Sequence, residues 1–352
     1  MVEQEKISFG TDQIVSFAER IRTEKAAREK RQLNRLSFGI SFFDDALNGI
    51  QNDLVLVGAS SGVGKTELST HIATTNAGKG KRVHFFALEA EPNEIEQRIK
   101  YKYLAQMMFR GLIPKPIPGK TIDYADWYDG KYNAAWGPYE AEADAFLAAT
   151  YPTLFTMYRE FGTFTADDFA RQLLAIQDET DLVIIDHFHY FDFEDQNENR
   201  AMKETVKKIR DIALLTQKPI VLVAHVRKKD SRSRQLIPGL EDFHGTSDIG
   251  KIGTKAIMLS PCHSVDLNDK TRFPTFMRAV KYRQGSHRTR NLAVCNFSVE
   301  ANAYENNYHL GTIGHDERGG EIWHPIEDQR EIPGWATRAK TFVAPHPHYS
   351  RK

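Results

Sequence analysis

The run Leu54-Val55-Leu56-Val57-Gly58-Ala59-Ser60-Ser61-Gly62-Val63-Gly64-Lys65-Thr66 constrains the fold of this chain more than any other stretch. Its apolar start reads as a buried strand, and it breaks into a small-residue loop ending in Gly-Lys-Thr. A glycine-rich turn of this kind aims successive backbone N–H groups inward at a polyphosphate. Gly64 lets the backbone approach closely, Lys65 neutralises the β and γ oxygens of ATP, and Thr66 offers a hydroxyl to Mg²⁺. The expected nucleotide cradle is therefore Ala59, Ser60, Ser61, Gly62, Val63, Gly64, Lys65, Thr66 and Glu67. Residues 67–76 read as a helix whose N-terminal dipole points at the same phosphates. In the pattern G-x-x-x-x-G-K-[ST] the first position here is Ala59, with Gly58 one residue early, and alanine is small enough to keep the loop intact.

The chain has 352 residues, 41% hydrophobic and 27% charged, enough for a sizeable core in one nucleotide-binding domain with insertions and tails. Its net charge is zero, so any nucleic acid must be held by a local patch. The two cysteines, Cys262 and Cys295, read as buried thiols of a reducing compartment, and the expected location is cytoplasmic. There is neither a signal-peptide core nor a run of 18 apolar residues.

Strand-like runs fall at 54–57, 83–88, 182–186, 220–225, 256–259, 276–282 and 292–297. Helical apolar spacing falls at 94–108, 166–176 and 202–216. This alternation argues for an α/β layer structure with a mostly parallel central sheet flanked by helices, and several strands are apolar throughout, as strands covered on both faces should be. The stretch 111–139, rich in Pro, Gly and aromatics, reads as an irregular excursion. Residues 301–352 read as a C-terminal extension of weak periodicity, with Trp323, Trp335, His346 and His348 as a candidate partner-binding element. Residues 1–35 read as a linker helix, with Ile14, Phe17, Ala18 and Ile21 on one face and a basic excess from Arg22 onward. Such a helix cannot bury its stripe alone, so it docks on the core or a neighbouring subunit, or is simply solvated.

Three polar strand ends follow the phosphate loop. Val83-His84-Phe85-Phe86-Ala87-Leu88-Glu89 ends in a carboxylate suited to activate water, although Glu91 competes for that role. Leu182-Val183-Ile184-Ile185-Asp186 ends in a carboxylate of the type that holds Mg²⁺. Ile220-Val221-Leu222-Val223-Ala224-His225 ends in a group able to sense the γ-phosphate. In a parallel sheet such ends converge on the nucleotide.

Together these residues resemble the ATPase domain of ring-forming replicative helicases, the DnaB type within the RecA-like P-loop superfamily. The resemblance covers 36–295, within an ATPase domain expected over 36–300. Leu36–Ile50 looks like the family's lead-in segment, Phe86-Ala87-Leu88-Glu89 is similar to its FSLE motif, and Glu198-Asn199-Arg200 looks like its ENR loop. Ala224-His225-Val226-Arg227 is similar to the SHLR of phage and mitochondrial relatives, where bacterial helicases usually carry Gln. Val280-Lys281-Tyr282-Arg283-Gln284-Gly285 is similar to the KxRxG strand, whose Lys and Arg reach into a neighbouring subunit's phosphates. The resemblance implies catalytic roles for Lys65, Glu89 and His225, with Lys281 and Arg283 acting in trans in a homo-oligomer, a hexamer by analogy.

Single-stranded DNA would then lie against Arg227, Lys228, Lys229, Arg232 and Arg234, with Arg200 a second contact. A solvated charged loop is the ordinary explanation for such a run, and the acidic, aromatic stretch 188–195 departs from the Arg-rich family loop. Only about 36 residues precede the lead-in, which looks like a stand-alone motor serving a replication, recombination or defence partner. Three functions follow: a DNA-translocating helicase, a RecA- or KaiC-like switch or loader that never unwinds, and a nucleotide kinase. The late KxRxG strand and the lack of an Arg-rich lid disfavour the kinase. The five histidines from His309 onward have no metal-ligand spacing, and no metal beyond Mg²⁺ is expected.

Overall fold

A computed structural model describes residues 16–51, 54–59, 62–159, 162–193, 197–227, 234–244, 248–263 and 271–342. In chain order the elements are α1 (Phe17–Leu33), α2 (Ser41–Leu47), β1 (Leu54–Ala59), α3 (Lys65–Ala77), β2 (Val83–Ala87), α4 (Glu94–Phe109), α5 (Tyr124–Tyr128), α6 (Asn133–Thr150) and β3 (Leu154–Tyr158). There follow α7 (Ala166–Ile176), β4 (Leu182–Asp186), α8 (Glu198–Thr216), β5 (Ile220–His225), α9 (Asp248–Ile252), β6 (Lys255–Pro261), β7 (Arg272–Tyr282) and β8 (Asn291–Ser298). The last are β9 (Ala303–Tyr304), β10 (Tyr308–His315), β11 (Glu321–Pro325) and β12 (Ala339–Lys340).

The described strands form one sheet in the order β11-β10-β8-β7-β6-β1-β5-β4-β2-β3, with β9 and β12 pairing at its side. From β6 to β3 every neighbour is parallel. From β6 through β7, β8 and β10 to β11 every pair is antiparallel. The sheet is thus mixed. Helical crossovers connect the strands of the parallel half, whereas the other wing is built of consecutive strands joined without intervening α-helices, and such connections force antiparallel pairing.

Alternation across β1 explains the two main cores. Val55, Val57 and Ala59 face one side and pack with α2 and α3, whereas Leu54 and Leu56 face the other and pack with α7 and α8. α8 buries Met202, Val206, Ile209 and Ala213 at helical spacing. Its start is fixed by Asn197, whose side chain accepts the Arg200 backbone N–H at 3.1 Å.

The stretch 111–139 is more regular than its composition suggests. α5 and the first part of α6 fall within it, and α6 runs through Pro138. A third core around Tyr101, Trp127, Tyr132 and Trp136 holds it, and the Trp136 Nε1–H donates to the Pro114 carbonyl at 3.0 Å. Burial of these large rings overrides the local preference of Pro and Gly. Likewise the residues after 301 add four strands to the sheet. Trp323, read above as a partner-binding residue, is buried against Phe276 with its Nε1–H on the Leu292 carbonyl at 3.1 Å. Trp335 packs on the core beside Phe42, and His346 and His348 lie outside the described residues. α1 leaves Phe17 and Ile21 exposed and is not docked on the described core, while Ile14 lies outside the described residues.

The lead-in segment clamps the back of the phosphate-loop helix. Asn76, at the end of α3, accepts the Ser37 N–H at 3.0 Å and donates to the Ser37 carbonyl at 2.8 Å. Buried Lys255 holds the same segment, its Nζ donating to the Leu47 and Gly49 carbonyls at 2.8 and 2.6 Å. Lys255→Met strips both carbonyls of this donor and should lower unfolding stability by about 2 kcal/mol, read as a drop in the urea midpoint.

Candidate active site

The parallel register lines the functional strand ends up. His225 sits opposite Ala59, and Asp186 opposite Ala87, so β1, β5, β4 and β2 deliver their polar residues to one edge. Between them and α3 opens a cleft of about 970 Å³, lined by Lys65, Thr66, Glu89, Asp186 and His225 among others. At its floor Gly62 and Gly64 take positive φ values of 78° and 80°. A Cβ on Gly64 would meet the Tyr304 hydroxyl at 2.9 Å, so glycine is required there twice over.

Charge is concentrated and dry. Lys65 is buried, and that burial pulls its pKa down while Asp186 and Glu89 hold it up. Asp186 is buried too, and loss of water pushes its carboxyl up to about 7 against the Thr66 hydroxyl that bonds it; nearby Glu89 adds to the rise. One of its oxygens, Oδ1, is buried with no hydrogen-bond partner. Glu89 is exposed at the cleft, its backbone N–H reaching the Asp186 carbonyl at 3.3 Å. Glu91 also lines the cleft, so both candidate carboxylates are present. His225 is held neutral, its pKa lowered to about 4 by burial, then by Lys65 and His244.

Glu67 has an unforeseen role. It is buried and ion-paired with Arg98 of α4, whose Nη2 also binds Glu94 at 2.7 Å and whose guanidinium lies 4.9 Å from the Tyr124 ring centre. The Glu94/Arg98 spacing of four was the only sequence signal of this bridge. Tyr304 was not foreseen at all: its hydroxyl donates to the Val63 carbonyl at 2.7 Å, across 241 residues. His187, which follows Asp186 through a cis peptide, is also new, with its ring centre 3.8 Å from that of His225.

Other expected residues stand away from the cleft. Arg283 is exposed and Lys281 donates to the Gly250 and Lys251 carbonyls at 2.9 and 2.6 Å, so neither lines the phosphate pocket of its own chain. Arg200 and Arg227 are exposed, and exposed Arg234 donates to the Arg318 carbonyl at 3.2 Å. Ser60, Ser61, Lys228, Lys229 and Arg232 lie outside the described residues.

The sequence profile of a family described as an AAA domain matches residues 44–231, more than half of the chain. The chain belongs to this AAA-domain family. Among solved structures, the AAA-domain chain is similar to one described as an ATPase domain, with a TM-score of 0.63 at 13% identity over 83% of this chain and 98% of that one. It is also similar to a DnaB-like replicative helicase described with its interactions with primase, with a TM-score of 0.61 at 13% identity over 84% of this chain and 68% of that one. At such identity the likeness is one of fold, the mixed sheet flanked by helices described above. No curated protein matches the chain. Among the described residues no helix is long and apolar enough to cross a membrane.

Removing one partner of the Glu67–Arg98 pair strands a buried charge. Arg98→Met should destabilise the fold by about 3 kcal/mol, and adding Glu67→Gln should recover most of that loss, a coupling readable in a double-mutant cycle of denaturation midpoints.

Proposed function

We propose that this chain is an ATP-hydrolysing motor that assembles as a homo-oligomer, a hexamer by analogy with DnaB-type helicases, and translocates on single-stranded DNA. The observation that carries the reading is the split arrangement. Lys65, Thr66, Asp186, Glu89 and His225 share one cleft, whereas Arg283 stands exposed outside it. A second subunit is the source from which a guanidinium would reach the transferring phosphoryl group.

Mg²⁺ fits the residues present, because the buried and unpartnered Oδ1 of Asp186 stands beside the Thr66 hydroxyl. Thr66 and Asp186 would hold the ion, which when bound neutralises and orients the β and γ oxygens. Lys65 supplies a fixed cation to the same oxygens. Glu89 takes the proton of the attacking water, and neutral His225 donates to or accepts from the γ-phosphate according to its state. The backbone N–H groups of the loop and of the first turn of α3 complete the cradle. Exposed Arg227 and Arg234 flank the basic segment that would track a DNA backbone without reading bases.

A second reading, an ATP-driven switch or loader without unwinding, is favoured by the stretch after β4. Its Asp192 is tied to Arg159 at 2.7 Å within the same chain, an acidic contact unlike a DNA-tracking loop. Strand displacement on a forked duplex separates the two readings.

Glu89→Gln should lower kcat for ATP at least about a hundredfold with little change in nucleotide affinity. Single-stranded DNA should stimulate the wild type, and mixing Glu89→Gln with Arg283→Ala should restore part of the activity that each lacks. DNA-indifferent hydrolysis by a protein that stays monomeric in light scattering would sink the motor reading.

Asp186 gives a pH test. The folded protein holds its proton up to about pH 7, whereas an unfolded carboxyl loses it near pH 4. Over that window the group makes the nucleotide-free fold less stable as pH rises, and Mg²⁺ must expel the proton to bind. Calorimetry of Mg²⁺·nucleotide binding in buffers of different ionisation enthalpy should show proton release at pH 6 that fades by pH 8 and is missing in Asp186→Asn.

A further inference from the structure

More imidazoles gather at the strand ends than ATP hydrolysis needs. His187 is fully buried, its Nε2 has no hydrogen-bond partner, and its ring centre lies 3.8 Å from that of His225. His189 stands 5.0 Å from His187 and 5.6 Å from His225, ring centre to ring centre. One candidate ligand atom each from Glu89, His187 and His225 lies within 4.8 Å of the other two.

Two imidazoles and one carboxylate form a donor set that selects borderline divalent ions such as Zn²⁺ and Co²⁺. Mg²⁺ prefers an all-oxygen shell and belongs with Thr66 and Asp186 instead. Glu89 brings an exposed carboxylate to the two rings, one oxygen-donor ligand beside two nitrogen donors. The contact that must yield is weak. The His189 backbone N–H donates to His187 Nδ1 at 3.3 Å, and coordination through either ring nitrogen gives up that long bond.

We propose that Glu89, His187 and His225 form a binding site for a Zn²⁺-class cation, separate from the Mg²⁺ position, and that its occupation turns the ATPase off. Bound metal takes Glu89 away from the attacking water and His225 away from the γ-phosphate in one step. The binding half stands on the cluster alone, and only the inhibitory half rests on the ATPase reading.

Co²⁺ is the probe, added to the whole, nucleotide-free chain with Mg²⁺ in large excess. One Co²⁺ per chain should give a ligand-field absorption band that Zn²⁺ bleaches. Lys65→Ala, which strips the phosphate loop of its cation, should keep the band. Glu89→Gln and His225→Gln each remove a ligand from a side chain that is not fully buried, and each should weaken binding at least about tenfold, with folding checked by circular dichroism. Zn²⁺ should then halve ATP hydrolysis at the concentration that half-fills the site. No band, or a band unchanged in both ligand variants and so arising from other histidines such as His346 and His348, overturns the site. Binding as described with hydrolysis untouched by Zn²⁺ overturns the inhibitory half. Binding as described in a protein that never hydrolyses ATP supports the site and overturns the ATPase reading instead.

Discussion

Parallel pairing of β1, β5, β4 and β2 is the constraint on which the rest of the cleft depends. Side chains alternate along a strand, so a slip of one residue turns a whole strand over. Here the apolar faces of β1 are buried against helices on both sides, which fixes the register strongly. His225 is held level with Ala59, and Asp186 with Ala87. The polar ends are therefore brought together by the hydrophobic demand of residues such as Val55 and Leu56, without attraction among the polar groups themselves. Lys65 and Asp186 are desolvated by that same packing, and their displaced proton affinities follow from it.

Much of this was legible from the chain alone, and for identifiable reasons. The phosphate loop combines a buried strand, glycines and Lys-Thr in a fixed order, and each component has a local cause. The strand ends at Glu89, Asp186 and His225 could be read because four or more apolar residues precede each one. α7 was recoverable to the residue, since Thr165 and Asp168 form a capping box at its start.

What escaped has a common character: it depends on partners remote in sequence. Composition suggests an irregular excursion at 111–139, yet Trp127, Tyr132 and Trp136 find a core with Tyr101 that local propensity does not encode. Of the antiparallel wing, β7 and β8 were legible as apolar runs, whereas β9 to β12 are short or interrupted by Gly and His, and their pairing is supplied by β8 and β10. The placement of His187 beside His225 needs two adjacent strands in register, although the sequence Asp186-His187-Phe188-His189 does display two imidazoles next to a strand end. Arg98 lines the cleft from α4 and buried Tyr304 braces the loop from β9, so no reading confined to the phosphate loop could include them.

The bond from Tyr304 to the carbonyl of Val63 gives the domain a temporal order. The phosphate loop leaves the ribosome early, but the side chain that braces it is made 241 residues later. Tyr304 sits on β9, which pairs with β8, and β8 in turn pairs with β7. A nascent chain that ends before residue 304 thus carries the Gly-Lys-Thr signature without its brace.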